Sequence, residues 1–264
     1  MALAGKIFES EVLPRLDVVL LHGLGESSSV WAPLAVQVSS RWPVRVFAPD
    51  LPGAGASRYF EAVQLKKLDF FAEELQNWLV EKQVRQPAVW VGHSMGGYVA
   101  LAVARRFPSW LAGLFLFHST PEADSEEKKR KREQSIRIFR HNPELYLREF
   151  YRNLFAQPEA YEREIEVLMK YGLGLDPDHF TATLEALRDR ADSRDLWRGL
   201  PIPKAILAGR WDPLLDVERL KDLAKEAGAH FFEAGGSAHM AMIEEPSVTL
   251  EAVERFLSEI LQKS

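Results

Sequence analysis

Ala88-Val89-Trp90-Val91-Gly92-His93-Ser94-Met95-Gly96-Gly97 is the stretch on which the fold turns. Its first four residues are apolar and suit a short buried strand, while the run from Met95 to Arg106 has helical periodicity. Gly92 to Gly96 is therefore a tight strand-to-helix turn of the form G-x-S-x-G. Taken alone the pattern is weak: with glycine and serine each near ~7% of residues, chance produces it in about one chain in ten of this length. The flanking strand and helix change its weight, because a nucleophile elbow needs that setting. Small glycines let Ser94 occupy a strained turn with its hydroxyl exposed, and the helix starting beside it offers unpaired N–H groups to developing negative charge.

Outward from this turn, short apolar runs alternate with longer amphipathic ones, the mark of an α/β sheet. Residues 17–21, 44–48, 88–91, 113–117, 205–207 and 230–232 read as buried parallel strands. Residues 30–41, 68–82, 95–106, 217–227 and 248–261 read as helices, and Gly228 suits the end of one. From 120 to 198 no strand is legible. Pro143, Pro158 and Pro177 divide that stretch into about four short helices. The expected organisation is a core of residues 1–119 and 199–264, interrupted by a helical insertion at 120–198.

Composition narrows the function. The 264 residues are 47% hydrophobic and 27% charged, with a formal net charge of -5 and no cysteine. Disulfide frameworks, thiolate metal sites and cysteine nucleophiles are excluded together. No global positive field attracts nucleic acid or anionic lipid. The mixed charge run from Glu126 to Glu133 reads as a solvated helix face. The first ten residues lack the continuous apolar core of a secretory signal, and no apolar run approaches the ~18 residues of a membrane span. A soluble, cytoplasmic protein is expected, with neither nucleic acid nor membrane as partner; nothing in the sequence sets an oligomeric state.

A serine hydroxyl is nearly unreactive at neutral pH and needs a base, with a further group to orient that base. Asp212 follows the strand at 205–207, and His239, in Gly235-Gly236-Ser237-Ala238-His239-Met240, follows the strand at 230–232. The chain order is then Ser, Asp, His. His93 lies inside the elbow, so its ring should point away from the nucleophile; His230 begins a strand; His22, His118, His141 and His179 precede the acid. Asp124, after the strand ending at Phe117, rivals Asp212, whereas Asp216 suits a helix N-cap and Asp50 opens a turn. For an oxyanion hole, the Gly-rich turn in Leu20-Leu21-His22-Gly23-Leu24-Gly25 places the amide of Leu24 as one donor and Met95 supplies the other. Gly23-x-Gly25 and Gly53-x-Gly55 lack the third glycine of a dinucleotide site, since Ser28 and Arg58 stand there, and there is neither a Walker A nor an H-E-x-x-H sequence. No cofactor and no metal are expected. His22, Trp31, His93, Phe139 and Met240 are the candidate pocket residues.

His22-Gly23, the turn from Pro49 to Ser57, the Gly92 to Gly97 elbow, Asp212 and His239 together resemble the α/β-hydrolase superfamily, over about residues 16–262. The resemblance implies a mostly parallel central sheet flanked by helices, with a helical cap inserted after the sixth strand. It implies Ser94 as nucleophile, His239 as general base and then acid, Asp212 as the group holding the imidazole, and Leu24 and Met95 as oxyanion donors. The segment before Asp17 is short for the family's usual opening strands. Dehalogenases and epoxide hydrolases of the family carry aspartate where Ser94 stands, and the menaquinone-pathway lyase typically carries Arg shortly after the elbow glycines, where this chain has Tyr98. The implied function is hydrolysis of a small or medium carboxylic ester through an acyl-enzyme, with a small-molecule acyl substrate. Carbon-carbon bond or enol-lactone hydrolysis on the same triad and a non-catalytic ligand-binding role are the alternatives.

Overall fold

Residues 3–263 are described by a computed structural model. Seven strands form one sheet: β1 (Gly5–Phe8), β2 (Leu16–Leu21), β3 (Val44–Pro49), β4 (Ala88–His93), β5 (Leu111–Phe117), β6 (Lys204–Gly209) and β7 (His230–Ala234). Their order across the sheet is β1-β3-β2-β4-β5-β6-β7. Every neighbouring pair is parallel except β1 with β3. The central strands are buried along their whole length, so they read in the sequence as continuous apolar runs. Around them lie α1 (Ala32–Arg41), α2 (Leu68–Glu81), α3 (Met95–Arg106), α4 (Glu126–His141), α5 (Pro143–Arg152), α6 (Glu162–Leu173), α7 (Pro177–Arg188), α8 (Arg194–Gly199), α9 (Val217–Glu226), α10 (Ala241–Glu244) and α11 (Pro246–Lys263).

All six expected strands form, each somewhat longer than its apolar run. β1 was not expected, because Gly5, Lys6 and Ile7 are exposed and carry no burial pattern. Only its antiparallel pairing with the edge of β3 makes it a strand. Counting from β1, the helical insertion leaves the sheet after the fifth strand, not the sixth. A single strand precedes β2 among the described residues, in keeping with the short opening segment.

Local chemistry explains the insertion. Ser125, Asn142 and Asp176 cap α4, α5 and α7 through side-chain oxygens on first-turn amides, and proline occupies the first turn of α5 and α7. Pro158 opens a short 3-10 turn ahead of α6. On α4 only Ile136 and Phe139 are buried, so the charge run does face solvent. α8 straddles the expected boundary at 198/199, and its buried Trp197 donates Nε1 to Leu223 O of α9, 3.2 Å away, on the core side.

Many contacts tie the insertion to the core, several of them close to residues 25, 98 and 239. Asp124 carries an ion pair to Arg132 and one of 2.7 Å to Arg190, whose guanidinium lies 4.0 Å from the ring centre of Tyr98 on α3. Tyr151 donates its hydroxyl to Gly25 O at 2.6 Å, and the amide of His239 donates to Leu154 O at 2.9 Å. Among the described residues, no helix is long and apolar enough to cross a membrane.

Candidate active site

The sheet gathers the chemistry at the carboxyl ends of its strands. The chain leaves β2 toward β3 on one side and returns to β4 on the other, which opens a crevice between β2 and β4 where ligands of such sheets bind. Ser94 follows β4 at this crevice with φ +50° and ψ -113°, a left-handed conformation rare for a residue with a side chain. The turn holds that strain through contacts only glycine allows. A Cβ on Gly92 would lie 2.4 Å from the Gly96 backbone, and one on Gly96 would lie 2.3 Å from Leu21 O. Ser94 N donates to Phe117 O at 2.9 Å, and Ser119 Oγ donates to Ser94 O at 2.8 Å. From Gly92 to Gly97, Ser94 alone retains partial exposure.

Asp212, after β6, and His239, after β7, are both buried. His239 Nδ1 lies 2.7 Å from Asp212 Oδ2, and Asp212 Oδ1 accepts from Leu214 N at 2.9 Å. Burial opposes ionisation of Asp212, but the His239 charge and the hydrogen bonds from His118 and His239 hold its carboxyl well below the usual range. The Nε2 of His239 is buried without a hydrogen-bond partner among the described residues. His239 and Ser94 line the same cavity, of about 240 Å³. Asp124 also borders this cavity, but its carboxylate is committed to Arg132 and Arg190.

The rest of the wall differs from expectation. Of the five candidate pocket residues, only His93 lines the cavity. His22 is a backbone brace: its Nε2 accepts from Leu51 N and its Nδ1 donates to Gly23 O, each at 2.9 Å. Trp31 packs edge-on against Phe117, Phe139 stacks on Phe180 with centroids 4.3 Å apart, and Met240 is fully buried. Each belongs to the core, where large apolar side chains most often go. The apolar wall comes instead from Leu24, Tyr98, Tyr146, Phe150, Leu154, Leu184, Leu187, Leu214 and Leu215, with Lys128, Lys131 and Arg132 of α4 also bordering it. A larger cavity of about 450 Å³ on another side of Tyr98 touches none of Ser94, Asp212 and His239.

Leu24 sits in the turn after β2, and Met95 begins α3, where the first amides have no carbonyl one turn behind them. The Leu24 turn is braced by Glu26, a buried acid that sequence reasoning passed over. Its Oε2 accepts from Gly23 N at 2.8 Å and lies 3.1 Å from His93 Nδ1, while His93 Nε2 lies 2.9 Å from His239 O. Both nitrogens of His93 face acceptors, so only the doubly protonated ring makes both hydrogen bonds. Burial works against that charge, but Glu26, the His239 carbonyl and Asp212 together more than offset it and raise the His93 pKa. This ion pair links the Leu24 turn to the His239 loop.

His118, after β5, is the second group sequence reasoning missed. In the chain it precedes the acid, out of the order Ser, Asp, His, yet its Nδ1 lies 2.9 Å from Asp212 Oδ2. His118, Asp212 and His239 bring their ligand-type atoms within 4.8 Å of one another, a grouping invisible in the linear spacing.

A seven-stranded, mostly parallel sheet with helices around it and a strained G-x-S-x-G turn at its crevice defines the class: the alpha/beta hydrolase family profile matches residues 18–252, and the chain belongs to that family. It is similar to the pimeloyl-(acyl-carrier protein) methyl ester esterase of Methylococcus capsulatus, 30% identical over 253 residues that span 92% of this chain and 94% of that protein. Among solved structures it is similar to a thermophilic esterase from Thermogutta terrifontis, with a TM-score of 0.86 and 27% identity over 98% of this chain and 93% of that one. The enol-lactonase from Burkholderia xenovorans superposes with a TM-score of 0.83 over 97% and 96% of the two chains; at 22% identity this shows the fold alone.

Proposed function

We propose that this chain hydrolyses carboxylic esters with small or medium acyl groups through a covalent acyl-enzyme. Ser94 Oγ attacks the ester carbonyl as His239 Nε2 takes its proton; the same proton then passes to the departing alcohol oxygen. Water enters, gives a proton to His239 and attacks the acyl-enzyme, and the acid leaves as the proton returns to Ser94. Asp212 keeps the imidazole in the tautomer with Nδ1–H and stabilises the imidazolium. The amides of Leu24 and Met95 receive the oxyanion, each such donor contributing about 3 kcal/mol in the transition state. Helices α4, α5 and α7 cap the cavity, and Tyr146, Phe150, Leu184 and Leu187 of α5 and α7 supply part of its apolar wall.

The observation that carries this reading is the His239 ring, with Nδ1 on Asp212 and a buried, unpartnered Nε2, on a cavity shared with the strained Ser94. The esterase names of the relatives point the same way. Hydrolysis of para-nitrophenyl butyrate and fluorophosphonate labelling test it. Ser94→Ala should lose both, with kcat down by at least about 10⁴-fold. Full turnover in that variant overturns the reading. A chain that binds acyl ligands without consuming them is a ligand-binding member, and cleavage of vinylogous diketones or enol lactones in preference to esters moves the substrate class. Asp212→Asn should cripple turnover while Asp124→Asn retains most of it; the reverse exchanges the acid.

A further inference from the structure

His118 is fully buried and adopts φ +46°, a conformation that a residue with a Cβ reaches only under constraint. Its amide donates to Leu207 O at 2.8 Å, which carries the β5–β6 ladder one residue past the strand and aims the ring at the loop after β6. Nδ1 meets Asp212 Oδ2, the oxygen that His239 Nδ1 also reaches. Nε2 lies 3.4 Å from the amide of Ala241, two residues beyond His239. Two groups face Nδ1, the ionised Asp212 carboxylate at 2.9 Å and the Gly209 amide at 3.4 Å, and the shorter, charge-assisted contact places the proton on Nδ1; the Ala241 amide only donates, so Nε2 is bare. That is the neutral tautomer, in agreement with burial pushing the pKa of His118 down to about 4.

We propose that His118 is a positioning residue for the Asp212–His239 pair, its Nδ1–H fixing the plane of the Asp212 carboxylate and its Nε2 holding the loop that follows His239. The inference rests on reading that pair as catalytic. With Leu214 N on Oδ1 and His118 on Oδ2, the carboxylate is gripped at both oxygens before His239 binds it. Neutrality suits the role. The titratable groups facing His118 are Asp212, His239 and His93, and a cationic donor here would repel the imidazolium that forms on His239 during the reaction. His118 does not border the cavity, so its loss should slow the chemical step and leave substrate binding intact.

Glycine and asparagine both tolerate the left-handed backbone, so two substitutions separate the hydrogen bond from the strain. His118→Gly removes the donor; His118→Asn keeps an N–H pointing the same way. In steady-state hydrolysis of para-nitrophenyl butyrate, His118→Gly should lower kcat about ten- to hundredfold with KM within about twofold, and His118→Asn should recover most of the loss. Nitrogen NMR of the wild-type ring, which needs no variant to fold, should show Nδ1 protonated and Nε2 bare near neutral pH. Unchanged kcat in His118→Gly, a loss confined to KM, no recovery in His118→Asn, or a bare Nδ1 each overturns the inference. Where Ser94 of the wild type labels with fluorophosphonate, these outcomes leave the esterase reading standing; a wild type that neither labels nor hydrolyses removes both.

Discussion

Between Gly92 and Gly97 the chain is held by backbone packed too closely to admit a single extra carbon, whereas between Asp124 and Arg190 the insertion is held by side chains: a buried charge cluster, aromatic stacks, apolar packing and hydrogen bonds. The first arrangement has no adjustable part. The second is built from side chains that can repack. A reacting oxygen needs sub-ångström placement, which close backbone contact supplies. A substrate wall needs only apolar surface at about the right distance, so it tolerates different helices and different charges on its outer face.

That contrast can be broken most severely at the elbow. Gly96→Ala places a carbon 2.3 Å from Leu21 O, and both partners are backbone, so the turn must move. Activity should fall by about a hundredfold or more, and denaturant unfolding should show a loss of about 1–3 kcal/mol. In the insertion, Asp124→Ala strips the carboxylate from Arg190, whose side chain is 4% exposed and keeps the neutral carbonyls of Leu187 and Glu122. Stability should drop by about 3–5 kcal/mol, the cost of an uncompensated buried charge. Double substitution of Asp124 and Arg190 by apolar residues should restore much of it. Equal losses from the single and double variants would show that packing, not charge, anchors the insertion.

A pH titration of stability reads the core from inside. His118 stays neutral in the folded chain down to about pH 4, while in the unfolded chain it takes a proton near 6.5. Stability should therefore fall as pH drops from about 6.5 to 4, by about 3 kcal/mol for this group, and His118→Asn should flatten that slope. His93 has the opposite sign: its pKa is raised, so the Glu26–His93 pair stabilises the fold below about pH 6.5 and loses its contribution as pH rises through the folded value. The smallest effect belongs to the solvent-exposed ion pairs of α4. Lys131→Ala breaks only an exposed pair with Glu127, and the melting temperature should not move measurably.

Ser94, Asp212 and His239 were legible because each lies just past an apolar strand, and parallel strands of one sheet deliver their following residues to a common edge. His118 lies at the same edge by the same rule, after β5, but its place in the chain does not fit the order Ser, Asp, His. Glu26 gave no such signal: a lone acid in a polar turn reads as solvated, and only its burial against His93 makes it an ion pair. Trp31, Phe139 and Met240 failed for the opposite reason. Being large and apolar fits a pocket wall and a core equally well, and the neighbour each side chain meets decides between them.

From the sequence alone came the alternation of strands and helices, the elbow, the helical character of the insertion and the residues at the strand ends, because these depend on periodicity, turn chemistry and local propensity. The tertiary structure alone decided the edge strand β1, the cavity wall and the protonation states around His239. These depend on which distant groups are pressed together away from water, where a carboxylate or a neighbouring amide sets the proton on each imidazole, and no spacing along the chain encodes that directly.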